Sequence, residues 1–291
     1  MFSYAFEPNL LDLQLIDLAF AEDLGIPYQD VTTATLFPEK MGMASAHIIS
    51  KNVEPIVICG LPLVALVLKK LDPLLHLQSD YDDGQHLMHG EKLLSISGPA
   101  QSLLMAERII LNFLQRLSAI ATLTSQFVQV IQHTHTKILD TRKTLPGFRH
   151  LEKYAVQCGG GVNHRMGLYD ALMIKDTHVD LSHGMEKALQ QLPDDITQTF
   201  PVIVEVRTIA ELSIVLSQAK HKVSRVLLDN MHTEMLCDCV KMCKGILPTE
   251  ASGNINLDNL LEVAECGVDF ISVGKITHSA TMVDLSMKCA P

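Results

Sequence analysis

Between Arg142 and Lys175 the chain carries six basic residues, Arg142, Lys143, Arg149, Lys153, Arg165 and Lys175, against two acidic ones, Glu152 and Asp170. This is a local charge of +4 in a chain whose total is −10. Arg149 and Lys153 read as an ordinary solvated basic face. Arg142, Lys143 and Lys175 do not, because each directly follows or ends an apolar run, and His164 and Arg165 stand in the same stretch. Guanidinium groups grip carboxylate or phosphate through paired hydrogen bonds, and a lysine adds a mobile point charge. The expected ligand is anionic, with more than one negative group.

Other groups narrow the chemistry. Glu205 and Asp229 end successive apolar runs and are acidic in an otherwise basic site. Two such carboxylates suit Mg²⁺, which takes one or two of them plus substrate phosphates, or they suit ribose hydroxyls; buried structural carboxylates are the alternative. Glu250-Ala-Ser-Gly-Asn-Ile255 precedes a helix expected near Leu257, and Ser272-Val-Gly274 follows the next apolar run. Small residues before a helix N-terminus make an anion site or an ordinary cap, and the adjacent Gly274 loop favours phosphate. Cys158-Gly-Gly-Gly-Val162 leads into Asn163-His164-Arg165 and reads as a substrate-binding loop. A zinc enzyme is rejected: most of the 13 histidines stand singly, and His133 and His135 cannot share a helix face. Cys237, Cys239 and Cys243 fall on a helical pattern over Thr233–Lys244, where buried cysteines need no metal.

The elements that must position these groups come next. β-rich runs at 137–140, 171–175, 202–206, 225–229, 247–250 and 270–273 end on Asp140, Lys175, Glu205, Asp229, Glu250 and Gly274, spaced 35, 30, 24, 21 and 24 residues apart. Those are the sizes of βα repeats, with helical stretches such as 209–217 and 257–265 between them, so the sheet is parallel. Ionisable groups at so many successive strand ends favour a barrel over a doubly wound sheet, which concentrates chemistry at one switch point. The first hundred residues show an α+β mixture instead: helices over 10–24 and 61–71, strands over 44–50 and 92–97. Between Gln101 and Ile131 only Glu107, Arg108 and Arg116 are charged, which predicts long buried helices.

Composition bounds the rest. With 47% hydrophobic and 19% charged residues, 291 residues can bury a sizeable core. A net acidic chain is a poor nucleic-acid binder. The longest apolar run, Pro55 to Leu68, has 14 residues with two prolines and a glycine, short of the roughly 20 that a membrane-spanning helix needs. No Lys or Arg occurs before Lys40, and the seven cysteines show no disulfide framework, so a soluble cytoplasmic protein without a signal peptide is expected.

Leu139-Asp-Thr-Arg-Lys-Thr-Leu-Pro-Gly147, Glu152-Lys-Tyr-Ala-Val156, Cys158-Gly-Gly-Gly161 and Asn163-His-Arg-Met-Gly-Leu168 resemble the quinolinate phosphoribosyltransferase family. So do Ile174-Lys-Asp176, Glu205-Val206, Leu228-Asp-Asn-Met231, Glu250-Ala-Ser-Gly253, Gly267-Val-Asp-Phe-Ile-Ser-Val-Gly274, Glu22-Asp-Leu-Gly25 and Glu107-Arg-Ile-Ile-Leu-Asn-Phe-Leu-Gln-Arg116. The resemblance implies an N-terminal α/β sandwich domain (1–113, with the 279–291 tail packed on it) and a C-terminal open α/β barrel of six or seven strands (114–278). It implies a homodimer with a shared active site, and the joining of quinolinate to phosphoribosyl pyrophosphate with Mg²⁺, giving nicotinate mononucleotide, pyrophosphate and CO₂. By position, Arg142, Lys143, His164, Arg165 and Lys175, with Thr141 beside them, would surround the quinolinate carboxylates, and Arg108 would come from the partner subunit. Glu205 and Asp229 would hold ribose hydroxyls and Mg²⁺; Ser252, Gly253, Asn254 and Gly274 would hold the 5-phosphate. Lys143, Lys175, Glu205 and Asp229 are the expected catalytic groups. Ile203, Thr177, Asn254 and Pro27-Tyr28 depart from the common pattern. A related phosphoribosyltransferase acting on another acid, or a non-catalytic phosphate-binding barrel, are the competing readings.

Overall fold

Asn9 and Asp12 open the first helix, α1 (Leu10–Leu24), with a reciprocal cap. Asn9 Oδ1 accepts the Asp12 N–H at 3.0 Å, and Asp12 Oδ2 accepts the Asn9 N–H at 2.8 Å. The helix ends at Gly25, whose φ of 70° suits glycine, and the chain leaves through a cis Ile26–Pro27 bond. The computed structural model describes residues 6–39 and 42–290 and divides into two compact units: residues 1–125, 144–160 and 278–291, and residues 126–143 and 161–277.

In the first unit, α2 (Val31–Leu36) is capped by Asp30 and precedes β1 (Met43–Ser50), β2 (Ile56–Val57), α3 (Leu61–Leu71), β3 (His76–Ser79), β4 (His86–Leu87), β5 (Lys92–Pro99), α4 (Ala100–Val130) and α5 (Arg149–Cys158). The C-terminal strand Leu285–Ala290, β1, β5 and β3 form an antiparallel sheet in that order. Alternate residues of β1, Ala46 and Ile48, are buried, as a one-sided sheet requires. Gly60 starts α3 without a side chain to cap it; Asp83 does so instead, accepting the Gly60 and Leu61 N–H groups at 2.8 and 3.0 Å and the Tyr154 hydroxyl at 2.8 Å. Cys59 and Cys158 lie beside Asp83, with potential ligand atoms within 4.8 Å of one another, but that carboxylate is already engaged by the helix start and Tyr154.

The run from Gln101 to Ile131 is one helix of 31 residues, α4, rather than several. It passes through position 113, where sequence places a domain boundary. The first unit extends to Ser125 and takes in residues 144–160, because Glu152 and Tyr154 of α5 have their partners Arg116 and Asp83 in this unit. Lys153 is fully buried, so the solvated face expected for it is not there.

Arg116 carries a testable part of this packing. Its Nη2 and Nε donate to Glu152 Oε1 at 2.6 and 3.1 Å, and Glu152 has no exposed surface. Burial pushes the Glu152 carboxyl up, and the Arg116 hydrogen bonds and charge oppose that. Removing one partner strands a buried charge, so Arg116→Ala is expected to lower stability by about 3–5 kcal/mol. A denaturant midpoint that falls at unchanged slope is the expected result; an unmoved midpoint would refute this role for the pair.

The second unit is an open α/β barrel. Its strands β6 (Lys137–Leu139), β7 (Leu172–Ile174), β8 (Val202–Val206), β9 (Arg225–Asp229), β10 (Thr249–Ser252) and β11 (Phe270–Ser272) are parallel, in the order β6-β11-β10-β9-β8-β7. Among the described residues β6 and β7 do not pair, and the free side of β6 is met only by a bridge from Leu139 to Val162. Helices α6 (Asp176–Leu181), α7 (Met185–Gln190), α8 (Ile196–Thr199), α9 (Ile209–Ile214), α10 (Thr233–Cys243) and α11 (Leu260–Glu265) occupy the crossovers. Cys239 and Cys243 face the core as the helical spacing requires, whereas Cys237 forms a disulfide with Cys266, which the sequence reading did not anticipate. Among the described residues no helix is long and apolar enough to cross a membrane.

Candidate active site

Register decides which strand-end groups meet. Glu205 is level with Leu227, and Leu227 with Glu250, while Asp229 is level with Ser252. Side chains alternate along a strand, so all these residues share one face, with Asp229 and Ser252 a step nearer the C-terminal ends. Ile174 pairs with Val204, which puts Lys175 beside Glu205. Burial raises the Glu205 carboxyl above its ordinary range, the charge of Asp229 raises it further, and Lys175 and the Asp176 N–H oppose both. Two carboxylates in mutual repulsion beside a lysine are matched by a hard cation or by hydroxyl donors.

The cationic side comes from the loops after β6 and Val162. Lys143 is exposed, its N–H held by Thr141 Oγ1 at 3.1 Å, and its carbonyl accepts from Thr277 Oγ1 at 2.8 Å. Val162 N–H donates to Ile138 O at 2.8 Å, which lays residues 162–165 along β6. Asp140 Oδ1 then accepts the His164 N–H at 2.9 Å. Arg165 is half-buried, with Nη1 on the Ala171 carbonyl at 2.9 Å. Burial lowers its pKa, and the charge of Arg142 adds to the effect. An anion between them relieves that repulsion.

The loops after β9 and β10 interlock. Asn230 and Asn254 have φ of 52° and 51°, and Gly253 has 99°. The Asn230 N–H donates to Ser252 O at 2.8 Å, Asn254 Nδ2 donates to Asn230 Oδ1 at 3.1 Å, and Asn230 Nδ2 donates to Asp229 Oδ2 at 2.7 Å. A Cβ on Gly253 would lie 2.2 Å from Asn230 Oδ1 and 2.9 Å from its backbone nitrogen, which is why glycine stands there. These loops border a cleft of about 200 Å³ lined by Met231, His232, Thr233, Ser252, Gly253 and Asn259. The helix that sequence places near Leu257 begins only at Leu260, because Asn256 and Asn259 first close a turn through Asn259 Oδ1. Ser252–Asn254 is therefore a strand-end loop and not a helix N-terminus. Gly274 lies two residues past β11, and its carbonyl accepts from Thr277.

The triple glycine has a different use from the one its motif suggests. A Cβ on Gly159 would sit 2.4 Å from the Ala121 carbonyl of α4, and Gly160 turns with φ of 85°. These glycines allow close packing and a turn rather than substrate approach. Arg108 is exposed on α4 of the first unit; the half-buried, ion-paired arginine of that helix is Arg116. Of the departures from the common pattern, Ile203 is buried opposite Arg225 in register, and Thr177 is exposed in the first turn of α6, two residues after Lys175. Asp140 and Glu250, which the sequence marks only as strand ends, meet the His164 N–H and the His164 ring, and Asn230, to which sequence reasoning gave no role, donates to Asp229; an amide ending an apolar strand was the available signal.

Fold and site together define a barrel enzyme that holds polyanionic substrates at its C-terminal strand ends. Residues 30–118 match the model of the quinolinate phosphoribosyl transferase N-terminal domain, and residues 120–288 match that of the C-terminal domain. The chain is 40% identical over 289 residues to quinolinate phosphoribosyltransferase [decarboxylating] 1b of Nicotiana tabacum, covering 94% of this chain and 81% of that protein. It is 40% identical over 235 residues to a probable nicotinate-nucleotide pyrophosphorylase [carboxylating] of Synechocystis, covering 80% and 79%. The solved nicotinate-nucleotide pyrophosphorylase of Francisella tularensis superposes with a TM-score of 0.90 at 37% identity over 98% of both chains. The chain belongs to the quinolinate phosphoribosyltransferase family.

Proposed function

We propose that the chain transfers the phosphoribosyl group of phosphoribosyl pyrophosphate to the ring nitrogen of quinolinate with loss of CO₂, releasing nicotinate mononucleotide and pyrophosphate in de novo NAD biosynthesis. The observation that carries this reading is Lys175 beside the Glu205–Asp229 pair at the strand ends of a member of this family, with Arg142 and Arg165 within electrostatic reach of each other in the loops of the same barrel. The paired guanidinium groups receive the quinolinate carboxylates, with Thr141 fixing the Lys143 main chain. Glu205 and Asp229 take the ribose hydroxyls, and the Ser252–Asn254 and Gly274 loops take the 5-phosphate. Attack by the pyridine nitrogen builds positive charge on the ribose carbon and the ring, and the quaternised ring is the electron sink for decarboxylation. No protein nucleophile is needed, and aligning two anions supplies much of the rate. The two carboxylates fit Mg²⁺, which when bound neutralises the departing pyrophosphate. The enzyme acts as a homodimer in which Arg108 enters the neighbour's site.

Release of CO₂ and nicotinate mononucleotide from the two substrates is the direct test; a chain that binds both and releases neither would overturn the proposal. Activity is expected to vanish with excess chelator and return with Mg²⁺. The double variant Glu205→Gln, Asp229→Asn should weaken phosphoribosyl pyrophosphate binding about tenfold or more, with quinolinate binding little changed. Full turnover in chelator would remove the metal from the scheme.

A further inference from the structure

Asn230 directly follows β9 and has a left-handed backbone, with φ of 52°, which asparagine tolerates. Three consecutive residues of the loop after β10 meet it. Its N–H donates to Ser252 O at 2.8 Å, and its Oδ1 accepts from Asn254 Nδ2 at 3.1 Å. Between them its side chain lies against Gly253, where an added Cβ would be 2.5 Å from Asn230 Cγ. On the other side, Asn230 Nδ2 donates to Asp229 Oδ2 at 2.7 Å. Chemistry fixes the orientation of this amide. An ionised carboxylate only accepts, so the Asn230 nitrogen faces Asp229 and its oxygen is left for a donor, which Asn254 supplies. Asn254 is one of the positions where this chain departs from the common pattern. It too has a left-handed φ, 51°, and its carbonyl accepts from Asn259 Nδ2 at 3.2 Å.

We infer that Asn230 and Asn254 are positioning residues that join the two halves of the phosphoribosyl site: through their side-chain amides the Ser252–Asn254 loop and the Asp229 carboxylate are held at one separation, that of the 5-phosphate from the ribose hydroxyls. Strand pairing ends in register at Asp229 and Ser252, so beyond that point side chains have to supply the tie. A ligand with two binding groups gains most when the spacing of its two subsites is set beforehand, because ordering a loop on binding costs affinity. Neither amide has to touch the ligand for this; Asp229 and the loop main chain do. The inference deepens the proposed function and rests on its assignment of Asp229 to the ribose hydroxyls and of the Ser252–Asn254 loop to the 5-phosphate.

Calorimetric titration of the intact enzyme with nicotinate mononucleotide, which carries both the ribose and the 5-phosphate, tests it, with quinolinate as the control ligand. Glycine accepts both left-handed backbones, so Asn230→Gly and Asn254→Gly remove the side-chain bonds without strain. Asn230→Gly is expected to weaken nicotinate mononucleotide binding about tenfold and Asn254→Gly about threefold, with quinolinate affinity and Tm close to wild type. The double variant should bind no more weakly than Asn230→Gly alone, because both changes break one chain of bonds. Losses that multiply in the double variant would mean two independent contacts and overturn the inference, as would wild-type affinity in Asn230→Gly. A loss shared with quinolinate and tracking a fall in Tm would reduce the pair to a structural tie. Should Asn230→Gly fail to fold, Asn230→Asp keeps the acceptor for Asn254 and replaces only the donor to Asp229. That variant is expected to lose about tenfold, and Asn254→Gly should still cost about threefold on its background; no loss in Asn230→Asp would refute the link to Asp229. Wild-type enzyme that neither binds nor makes nicotinate mononucleotide would instead defeat the functional proposal, whereas failure of this inference shows only in the variants.

Discussion

Arg142→Ala and Arg165→Ala enzymes are expected to bind quinolinate about 10- to 150-fold more weakly, the equivalent of losing a charge-assisted hydrogen bond of about 1.5–3 kcal/mol. The site makes the two residues unequal to other surface cations. Both are half-buried, and the charge of Arg142 is felt by Arg165 strongly enough to lower its pKa, after burial itself. The free enzyme holds two like charges together, and a dianionic substrate converts that repulsion into attraction. Bidentate geometry makes Lys a poor replacement, so Arg165→Lys should recover only part of the affinity. Calorimetric titration with quinolinate is the measurement, beside phosphoribosyl pyrophosphate as the control, whose affinity should stay close to wild type. Retention of wild-type quinolinate affinity by either alanine variant would remove that residue from the carboxylate clamp.

What the sequence made legible, and what it did not, follows from the range of the interactions involved. Helices α1 and α3 and strands β8 and β9 have the residue limits that local patterning indicates, since caps, glycine stops and short β-branched runs are local signals. The strand-end charges were legible for the same reason: a parallel fold turns a one-dimensional pattern, apolar run then ionisable residue, into a shared face. Uses set by distant partners were not legible. Gly159 is small because the Ala121 carbonyl stands against it, some forty residues earlier in the chain. Lys153 reads as surface, yet it is buried in a helix whose preceding residue, Glu152, pairs with Arg116. Glu250 looks like one more site carboxylate, and only its enclosure between His164 and Arg225 separates it from Glu205, which is level with Leu227 on the neighbouring pair of strands. Asn254 likewise reads as a cap until the turn through Asn256 and Asn259 moves the helix start to Leu260.

Mixing inactive Arg108→Ala enzyme with inactive Lys175→Ala enzyme is expected to restore about one quarter of wild-type activity, because random exchange in a two-fold dimer makes half the dimers hybrid and each hybrid holds one intact site of two. The expectation starts from α4. Of the three charges between Gln101 and Ile131, Arg116 is consumed by Glu152, while Arg108 stands exposed with Ile109 and Ile110 buried next to it. Consecutive helical residues point in different directions, so Glu107 is poorly placed to neutralise it. Lys175, by contrast, is held within its own barrel beside Glu205. If Arg108 serves the neighbour's barrel, the hybrid pairs an unaltered barrel on the Arg108→Ala subunit with an unaltered Arg108 on the Lys175→Ala subunit. A control mixture of Arg165→Ala and Lys175→Ala should stay inactive, since both residues belong to the same barrel and every hybrid site lacks one of them. Recovery in the first mixture and not in the second identifies a shared site. No recovery in the first, with subunit exchange verified by mass, would mean that Arg108 acts within its own subunit or not at the site at all.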